Sequence, residues 1–466
     1  MTVLKFGGSS LADGARITAV TAIVAEAASR GRIAVVLSAM KGVTDRLIAA
    51  AHTAEEGSDA GRDQLEAIRA QHLAAVRSLF SPTDQAAVIT PLTIMLNDLE
   101  EILHGVELIR ECSPRTMDLV MSFGERLSCT LASAHMRTRG LDAVTVDARE
   151  MILTDDHFGS AAVDFDASYP RIAARIAAIP GIAVIPGFIG ATSRGVTTTL
   201  GRNGSDFTAS IIGAGASAEL IDIWTDVDGV LSADPRLVPD AFVVPEISYE
   251  EAMELSYFGA KVIHPYTMIP AVEKRIPIRI KNSLNPPAPG TMIGAPEHLT
   301  GSRTRHPITG IASIEGISLV NIQGGGMIGI PGIAARIFSA LAREGISIIM
   351  ISQASSEHTI CLVFRTQEAP RAVAALEREL AAELAAKRIQ DFELVSDLLI
   401  VSVIGENMRG TPGIAGRLFT ALGKAGINIL VIAQGSSERN ISIVIEQASH
   451  ALALRTIHAA FLDGRV

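Results

Sequence analysis

The sequence predicts an α/β protein in two parts, an open α/β sheet in front and two copies of a βαββαβ unit behind. Two observations carry this. Residues 331–360 and 412–441 repeat one another at a constant offset of 81, from Pro331-Gly332-Ile333-Ala334 and Pro412-Gly413-Ile414-Ala415 through Gln353 and Gln434. Residues 1–294 instead alternate short apolar strands, small-residue loops and helical stretches, which is the pattern of an open α/β sheet.

Composition sets the frame. At roughly 150 residues per domain, 466 residues make about three globular units. A chain with 48% hydrophobic and 19% charged residues buries several cores and is not disordered. A net charge of −10 argues against broad binding to nucleic acid. Cys112, Cys129 and Cys361 are too few and too scattered for a disulfide framework or a zinc site, so a reducing compartment is expected. No apolar run reaches the length of a membrane span, and Met1–Phe6 turns at once to glycine where a signal peptide would continue. The expectation is a cytoplasmic protein with no membrane or nucleic-acid partner.

The front half opens with an apolar strand at Val3–Phe6, a Gly7-Gly8-Ser9-Ser10 turn, a helix over Asp13–Ala28 and a second strand at Ile33–Leu37. Residues 49–110 read as amphipathic helix broken near Ser81-Pro82, with Leu92, Met95, Leu96, Leu99, Ile102 and Leu103 as core. Pro286, Pro287 and Pro289 mark a linker.

Several loops follow strands, where open α/β sheets bind ligands. Gly7 and Gly8 let backbone N–H groups approach phosphate oxygens, and Lys5 adds a charge. No Walker A loop is present. The loop 197–206 combines Gly201, Gly204, Arg202 and Asp206, and an arginine there can grip a carboxylate at two points. Two more loops are 224–236, with Thr225, Asp226, Asp228 and Arg236, and 258–265, with Lys261 and His264. Gly213-Ala-Gly215-Ala-Ser-Ala218 matches a dinucleotide fingerprint but follows a helical stretch and precedes a strand, so it reads as a helix terminus.

In each repeat a strand (Ile317–Gln323; Leu398–Ile404) leads to a helix starting near Pro331 or Pro412 and ending at Gly345 or Gly426. A strand follows (Ile346–Ser352; Ile427–Ala433), then another (Thr359–Phe364; Ile441–Ile445) and a helix (Arg371–Ala386; His450–Leu462). The first copy finishes with a strand in Ile389–Leu394. The second lacks one, and Ile308–Ala312 is the spare. The second unit is therefore expected to be split, made of about 308–313 plus 397–466, with the first, about 315–396, inserted in it. This pattern resembles a tandem pair of ACT domains, which are amino-acid-sensing modules. A role in dimerisation alone is the alternative.

The front motifs resemble aspartokinases: KFGGSS at 5–10, LSAMKGVT at 37–44, FGE at 123–125, GFIG at 187–190, TTTLGRNGSD at 197–206, IWTDVDGV at 223–230 and ELSYFGAKVIHP at 254–265. The likeness covers nearly the whole chain and points to the kinase portion of bifunctional aspartokinase–homoserine dehydrogenases. A stand-alone kinase and the front part of a bifunctional one fit equally.

The resemblance implies an amino-acid-kinase α/β/α sandwich over 1–298 and a regulatory region over 308–466. It implies transfer of phosphate from ATP, with Mg²⁺, to L-aspartate, opening the route to lysine, threonine and methionine. Lys5 and Asp206 would be catalytic. Lys5, Gly7, Gly8, Ser9, Thr225, Asp226, Arg236, Lys261 and Val262 would meet ATP and its phosphates. Ser38, Thr44, Glu125, Phe188, Arg202, Gly204 and Ser205 would meet aspartate. Gly332, Ile333, Gln353, Gly413, Ile414 and Gln434 would meet an effector, threonine before lysine, in a homodimer or larger homo-oligomer. No metal ligand from the protein is expected.

Structural readings stand beside these. Glu125 can cap a helix, Arg236 can be a surface turn residue, and His264 reads as a packed turn histidine. Leu231 stands where many relatives have tyrosine, which removes a nucleotide contact. Two rival functions remain: another amino-acid kinase, such as an N-acetylglutamate or uridylate kinase, and a catalytically silent amino-acid sensor.

Overall fold

The computed structural model describes residues 1–58, 60–258, 263–300, 306–327, 330–353, 358–390 and 392–462. Lys261 and Val262, together with Ser355, Ser356 and Glu357 of the repeat, lie outside the described residues. By contacts the chain divides into two compact units. The first holds 1–230, 243–249 and the described part of 261–303. The second holds 231–242, 250–258 and the described residues from 306 onward.

The first unit opens with β1 (Thr2–Phe6), α1 (Gly14–Arg30) and β2 (Ile33–Leu37). Asp13 caps α1 by accepting from the Arg16 N–H at 2.9 Å. The helical stretch expected over 49–110 is three helices, α2 (Val43–Glu56), α3 (Ala60–Leu79) and α4 (Pro82–Ile109). Besides the break at Ser81-Pro82 there is one at Gly57, whose left-handed backbone (φ +70°) ends α2. Leu92, Leu96, Leu99 and Leu103 are buried, with Met95 and Ile102 packed against them. Then come α5 (Pro114–Thr138), β3 (Ala143–Thr145), β4 (Leu153–Thr154), α6 (Phe165–Ala177), β5 (Ile182–Pro186), β6 (Ile189–Thr192), β7 (Thr197–Thr199), α7 (Gly204–Gly215) and β8 (Leu220–Thr225). The decoy glycines close α7. A methyl on Gly213 would sit 2.6 Å from the Ile221 side chain, so that glycine serves helix–strand packing. β9 (Glu246–Ser248), α8 (Tyr249–Tyr257), α9 (Pro265–Glu273), β10 (Ile278–Asn282) and β11 (Thr291–Gly294) follow, with all of α8 after Tyr249 counted in the second unit.

The sheet order is β3-β5-β2-β1-β8-β10-β11-β9, and the first six strands run parallel. The chain winds one way from β1 to β2 and the other way from β1 to β8. The carboxyl ends of β1 and β8 thus flank a topological switch point, where such sheets open a crevice.

The second unit contains β12 (Gly310–Gln323), α10 (Ile333–Arg343), β13 (Met350–Gln353), β14 (Thr359–Arg365), α11 (Ala369–Glu379), α12 (Ala381–Ala385), β15 (Glu393–Ile404), α13 (Ile414–Lys424), β16 (Val431–Gln434), β17 (Asn440–Glu446) and α14 (His450–Leu462). One sheet runs β13-β14-β12-β15-β17-β16. Its two central strands are each shared by both repeats. Gly310–Ile314 of β12 pairs with Ile400–Ile404 of β15, whereas Ile317–Gln323 pairs with β14. The strands expected at 346–352 and 427–433 start four residues later, at Met350 and Val431. Their first residues complete the helix ends instead: the Ile346 N–H donates to Leu341 O and the Ile427 N–H to Leu422 O, both at 3.0 Å, and both isoleucines are buried. The helix expected over 371–386 breaks at Leu380 into α11 and α12. No helix among the described residues is long and apolar enough to cross a membrane.

Candidate active site

The carboxyl ends of the parallel strands are tied together by the residue that follows each one. The Ser38 N–H donates to Phe6 O at 3.1 Å, the Gly187 N–H to Leu37 O at 2.9 Å, and the Ser283 N–H to Thr225 O at 2.8 Å. Ser10 Oγ meets Ser283 Oγ at 2.7 Å. These links gather the loops after β1, β2, β5, β8 and β10 along one edge.

Lys5 sits at the centre of that edge, one residue from the end of β1, and is 8% exposed. Its ammonium lies 2.5 Å from Asp206 Oδ1, in the first turn of α7, and Asp206 is 7% exposed. Carboxylates suit the first turn of a helix, so α7 holds Asp206 where it can hold Lys5. Gly7, Gly8 and Ser9 follow directly and are partly open to solvent. A methyl on Gly7 would come 3.6 Å from the Lys5 ammonium, so its absence leaves that charge accessible from the turn.

Glu125 lies in the middle of α5 and is 3% exposed. Burial pushes its carboxyl up to about 8, against a backbone hydrogen bond from Ala39 and the charge of Lys5, which pull it down. Its Oε2 is buried without a partner among the described residues. It is therefore not a helix cap. The 38–43 loop sits directly on this part of α5: Ser128 Oγ donates to Ser38 O at 2.6 Å, and Gly124 packs on Ala39. Ser38 and Thr44 bracket that loop, both partly exposed.

Phe188 takes the left-handed backbone (φ +70°) uncommon for an aromatic residue. It is held there by its N–H donating to Thr208 Oγ1 at 2.9 Å and by its carbonyl accepting from the Leu200 N–H. A methyl on Gly204 would meet the Phe188 ring at 2.6 Å, so only glycine lets the ring lie on the start of α7. Ser205 is buried beside it, and Arg202 projects into solvent.

On the other side of Lys5, Thr225 Oγ1 donates to Asp226 Oδ1 at 3.2 Å. Asp228, noted in this loop but given no role from the sequence, accepts from Asn282 Nδ2 at 2.8 Å and Asn285 Nδ2 at 3.0 Å. Arg236 lies in the second unit, exposed, and makes a two-point contact with Asp234. His264 is exposed rather than packed, and its Nδ1 caps α9 by accepting from the Tyr266 N–H at 3.3 Å.

Sequence reasoning also missed Asp118. It is fully buried in α5 and accepts from the Gly159 N–H, the Thr199 N–H and Thr199 Oγ1 at 2.7–3.0 Å. It anchors β7 just before the Arg202–Asp206 loop. An acidic residue inside the apolar run Met117–Met121 was the available signal.

In the second unit Gly332 and Gly413 take left-handed conformations (φ +96° and +88°) just before α10 and α13. Ile333 and Ile414 are buried, and Gln353 and Gln434 are exposed at the ends of β13 and β16. A hollow of about 450 Å³ opens at the start of α13, lined by Thr411, Pro412, Gly413, Ile414 and Arg417 among others.

Residues 1–282 match the amino acid kinase family, and residues 320–380 and 401–461 each match an ACT domain. The aspartokinase of Schizosaccharomyces pombe is 33% identical over 99% of this chain and 92% of its own length. The chain belongs to the aspartokinase family. Its fold is accordingly an amino-acid-kinase domain followed by two ACT domains. Escherichia coli aspartokinase III has been solved in complex with aspartate and ADP (R-state) and with lysine and aspartate (T-state). Those structures align with TM-scores of 0.80 and 0.78, at 30% identity over 99% of this chain and 100% of the other. Among aspartokinases fused to homoserine dehydrogenase, the chloroplastic enzyme 1 of Arabidopsis thaliana is 38% identical over 99% of this chain. The chain spans about half the length of that relative, 51%.

Proposed function

We propose that the chain is an aspartate kinase that converts ATP and L-aspartate to ADP and 4-phospho-L-aspartate. The observation that carries this is the buried Lys5–Asp206 pair beside the Gly7-Gly8 turn, with the Glu125 carboxyl, whose Oε2 has no partner among the described residues, behind it. The side-chain carboxylate of aspartate is already a nucleophile, so no strong base is required. Its oxygen forms the new bond to the γ-phosphorus as the bond to the bridging β,γ-oxygen breaks and ADP leaves with the electron pair. The barrier is the meeting of two anions, and catalysis consists of positioning and charge neutralisation.

Each residue then has a role. Lys5 neutralises the transferring phosphoryl oxygens, and Asp206 fixes the direction of its ammonium. Gly7, Gly8 and Ser9 offer backbone N–H groups to phosphate. Arg202, which reaches into solvent, holds a carboxylate of aspartate. Glu125 takes the ammonium, an ion pair that satisfies its bare Oε2. Ser38, Thr44 and Ser205 supply polar contacts, and Phe188 and Gly204 shape the pocket. Thr225 and Asp226, with Lys261 and Val262, serve the nucleotide; Arg236 joins them only if it exchanges Asp234 for a phosphate.

Among the described residues no three His, Cys, Asp or Glu side chains cluster as a metal cage. One carboxylate already paired with a lysine suits Mg²⁺ that arrives on the phosphates and keeps its waters, with Asp206 as the available oxygen donor. Bound there, Mg²⁺ would supply further neutralisation of phosphate charge.

The same reading makes this the first step toward lysine, threonine and methionine, under feedback through the ACT modules. The helix starts at Gly332 and Gly413 suit an effector carboxylate, and threonine is favoured over lysine. Exposed Ile351 and Ile432 on β13 and β16 suit a homodimer or larger assembly. Three free thiols suit a reducing compartment such as the cytoplasm. A hydroxamate assay with aspartate and ATP tests the activity. Turnover with another acceptor and none with aspartate would overturn it.

A further inference from the structure

The sheet face opposite Lys5 carries a cavity that the kinase reading does not use. Side chains alternate along a strand, so Thr2 and Leu4 of β1 face α1 while Lys5 faces α7. Between α1 and the side chains of β1, β8 and β10 lies a space of about 470 Å³, within the range of small-molecule sites.

Five ionisable side chains line it, and four of them cancel. Arg279 makes a two-point contact with the buried carboxylate of Asp222, at 2.8 and 2.7 Å. Arg30 pairs with Glu26 one turn away on α1. Lys281 is left over. Its ammonium donates to the carbonyls of Pro286 at 2.9 Å and Ala288 at 2.5 Å, which are neutral acceptors and use two of its three N–H donors. It stands 5.4 Å from the centre of the Trp224 ring. Burial and the neighbouring Arg279 lower its pKa, opposed by Asp222 and Glu26, as expected for a cation short of compensation. Trp224 also lines the cavity, and its buried indole N–H has no acceptor among the described residues.

An ammonium with one N–H donor to spare and an indole N–H without an acceptor among the described residues therefore line one cavity, beside an apolar wall of Leu4, Ile23 and Ala27. We propose that this cavity binds a small organic monoanion. Its carboxylate accepts from Lys281 and the indole of Trp224, and its apolar body lies against α1. The single uncancelled charge of Lys281 balances a monoanion, leaves a dianion such as phosphate half compensated, and disfavours a cation.

Trp224 is the only tryptophan in the chain, so tryptophan fluorescence reports on this cavity directly. Titration of the full chain with cyclohexanecarboxylate should give a saturable change in emission. Cyclohexanecarboxamide, of the same shape without the charge, should bind on the order of tenfold more weakly. Lys281→Gln should weaken the carboxylate by a similar factor. Ala27→Leu fills the space from α1, leaves the carbonyl contacts of Lys281 in place, and should abolish binding. Saturating L-aspartate and MgADP should leave the affinity unchanged. No saturable change in the wild type, equal binding of the amide, binding retained in both variants, or displacement by aspartate or MgADP would each overturn the proposal.

Discussion

The Lys5 ammonium and the Asp206 carboxylate meet at 2.5 Å, joining the middle of the sheet to the first turn of α7. Neither is exposed to more than a tenth of its surface. A buried pair behaves unlike a surface one: removing one partner strands the other charge and costs about 3–5 kcal/mol. The pair is thus a structural joint as well as a proposed catalytic element, and its mutants must be judged on both counts.

Lys5→Ala should lower kcat by roughly 10²–10³, the usual loss for one group stabilising transition-state charge. It should also lower the melting temperature by stranding Asp206. Lys5→Ala/Asp206→Asn should regain stability without regaining rate. A folded Lys5→Ala enzyme within about fivefold of wild-type kcat would remove Lys5 from catalysis.

Arg202 is exposed, two residues before Gly204, whose missing Cβ admits the Phe188 ring. A guanidinium holding a carboxylate at two points is not replaced by lysine. Arg202→Lys should therefore raise the KM for aspartate far more than the KM for ATP. Equal changes in both constants would move Arg202 to the nucleotide side or to general structure.

Glu125 has a pH signature. Its folded pKa of about 8 is above the ordinary value of 4.5, so the free enzyme holds the proton through neutral pH. A raised pKa contributes stability that is fully present below pH 4.5 and lost as pH rises through about 8. Glu125→Gln should remove that part of the pH dependence of melting. An ammonium pairs only with the ionised carboxylate, so binding aspartate should release a proton near pH 7. Calorimetry in buffers of different ionisation enthalpy reads this directly. Proton release that is the same in wild type and Glu125→Gln would separate Glu125 from the ammonium.

Feedback should appear as inhibition by threonine, with lysine weaker, and a coupling of about 1–3 kcal/mol between effector and active site. Gln353→Ala and Gln434→Ala should blunt it while leaving uninhibited turnover near wild type. Unchanged sensitivity in both variants would place the effector elsewhere, and no inhibition of the wild type by either amino acid would end the feedback reading.

The sequence by itself determined the features that are local. The Gly7-Gly8 turn, the stop glycines 345 and 426 and the helical spacing of Leu92–Leu103 each act within a few residues of themselves, and the repeat at offset 81 is a likeness between two segments, so all are legible in one dimension. Tertiary structure decided what distant segments do to one another. That Gly310–Ala312 of the spare segment and Ile317–Gln323 merge into the single strand β12, and that β15 serves both repeats, depends on pairing and not on pattern. So does the membership of 231–242 in the second unit, where Ala233 and Val238 join a core built with Leu399, Val401 and Leu418. The Lys5–Asp206 joint, the bare Oε2 of Glu125 and the anchoring by Asp118 are of the same kind. Periodicity reports which face of an element is buried. It carries no record of the partner, and a pKa, an ion pair or a shared strand exists only once that partner is in place.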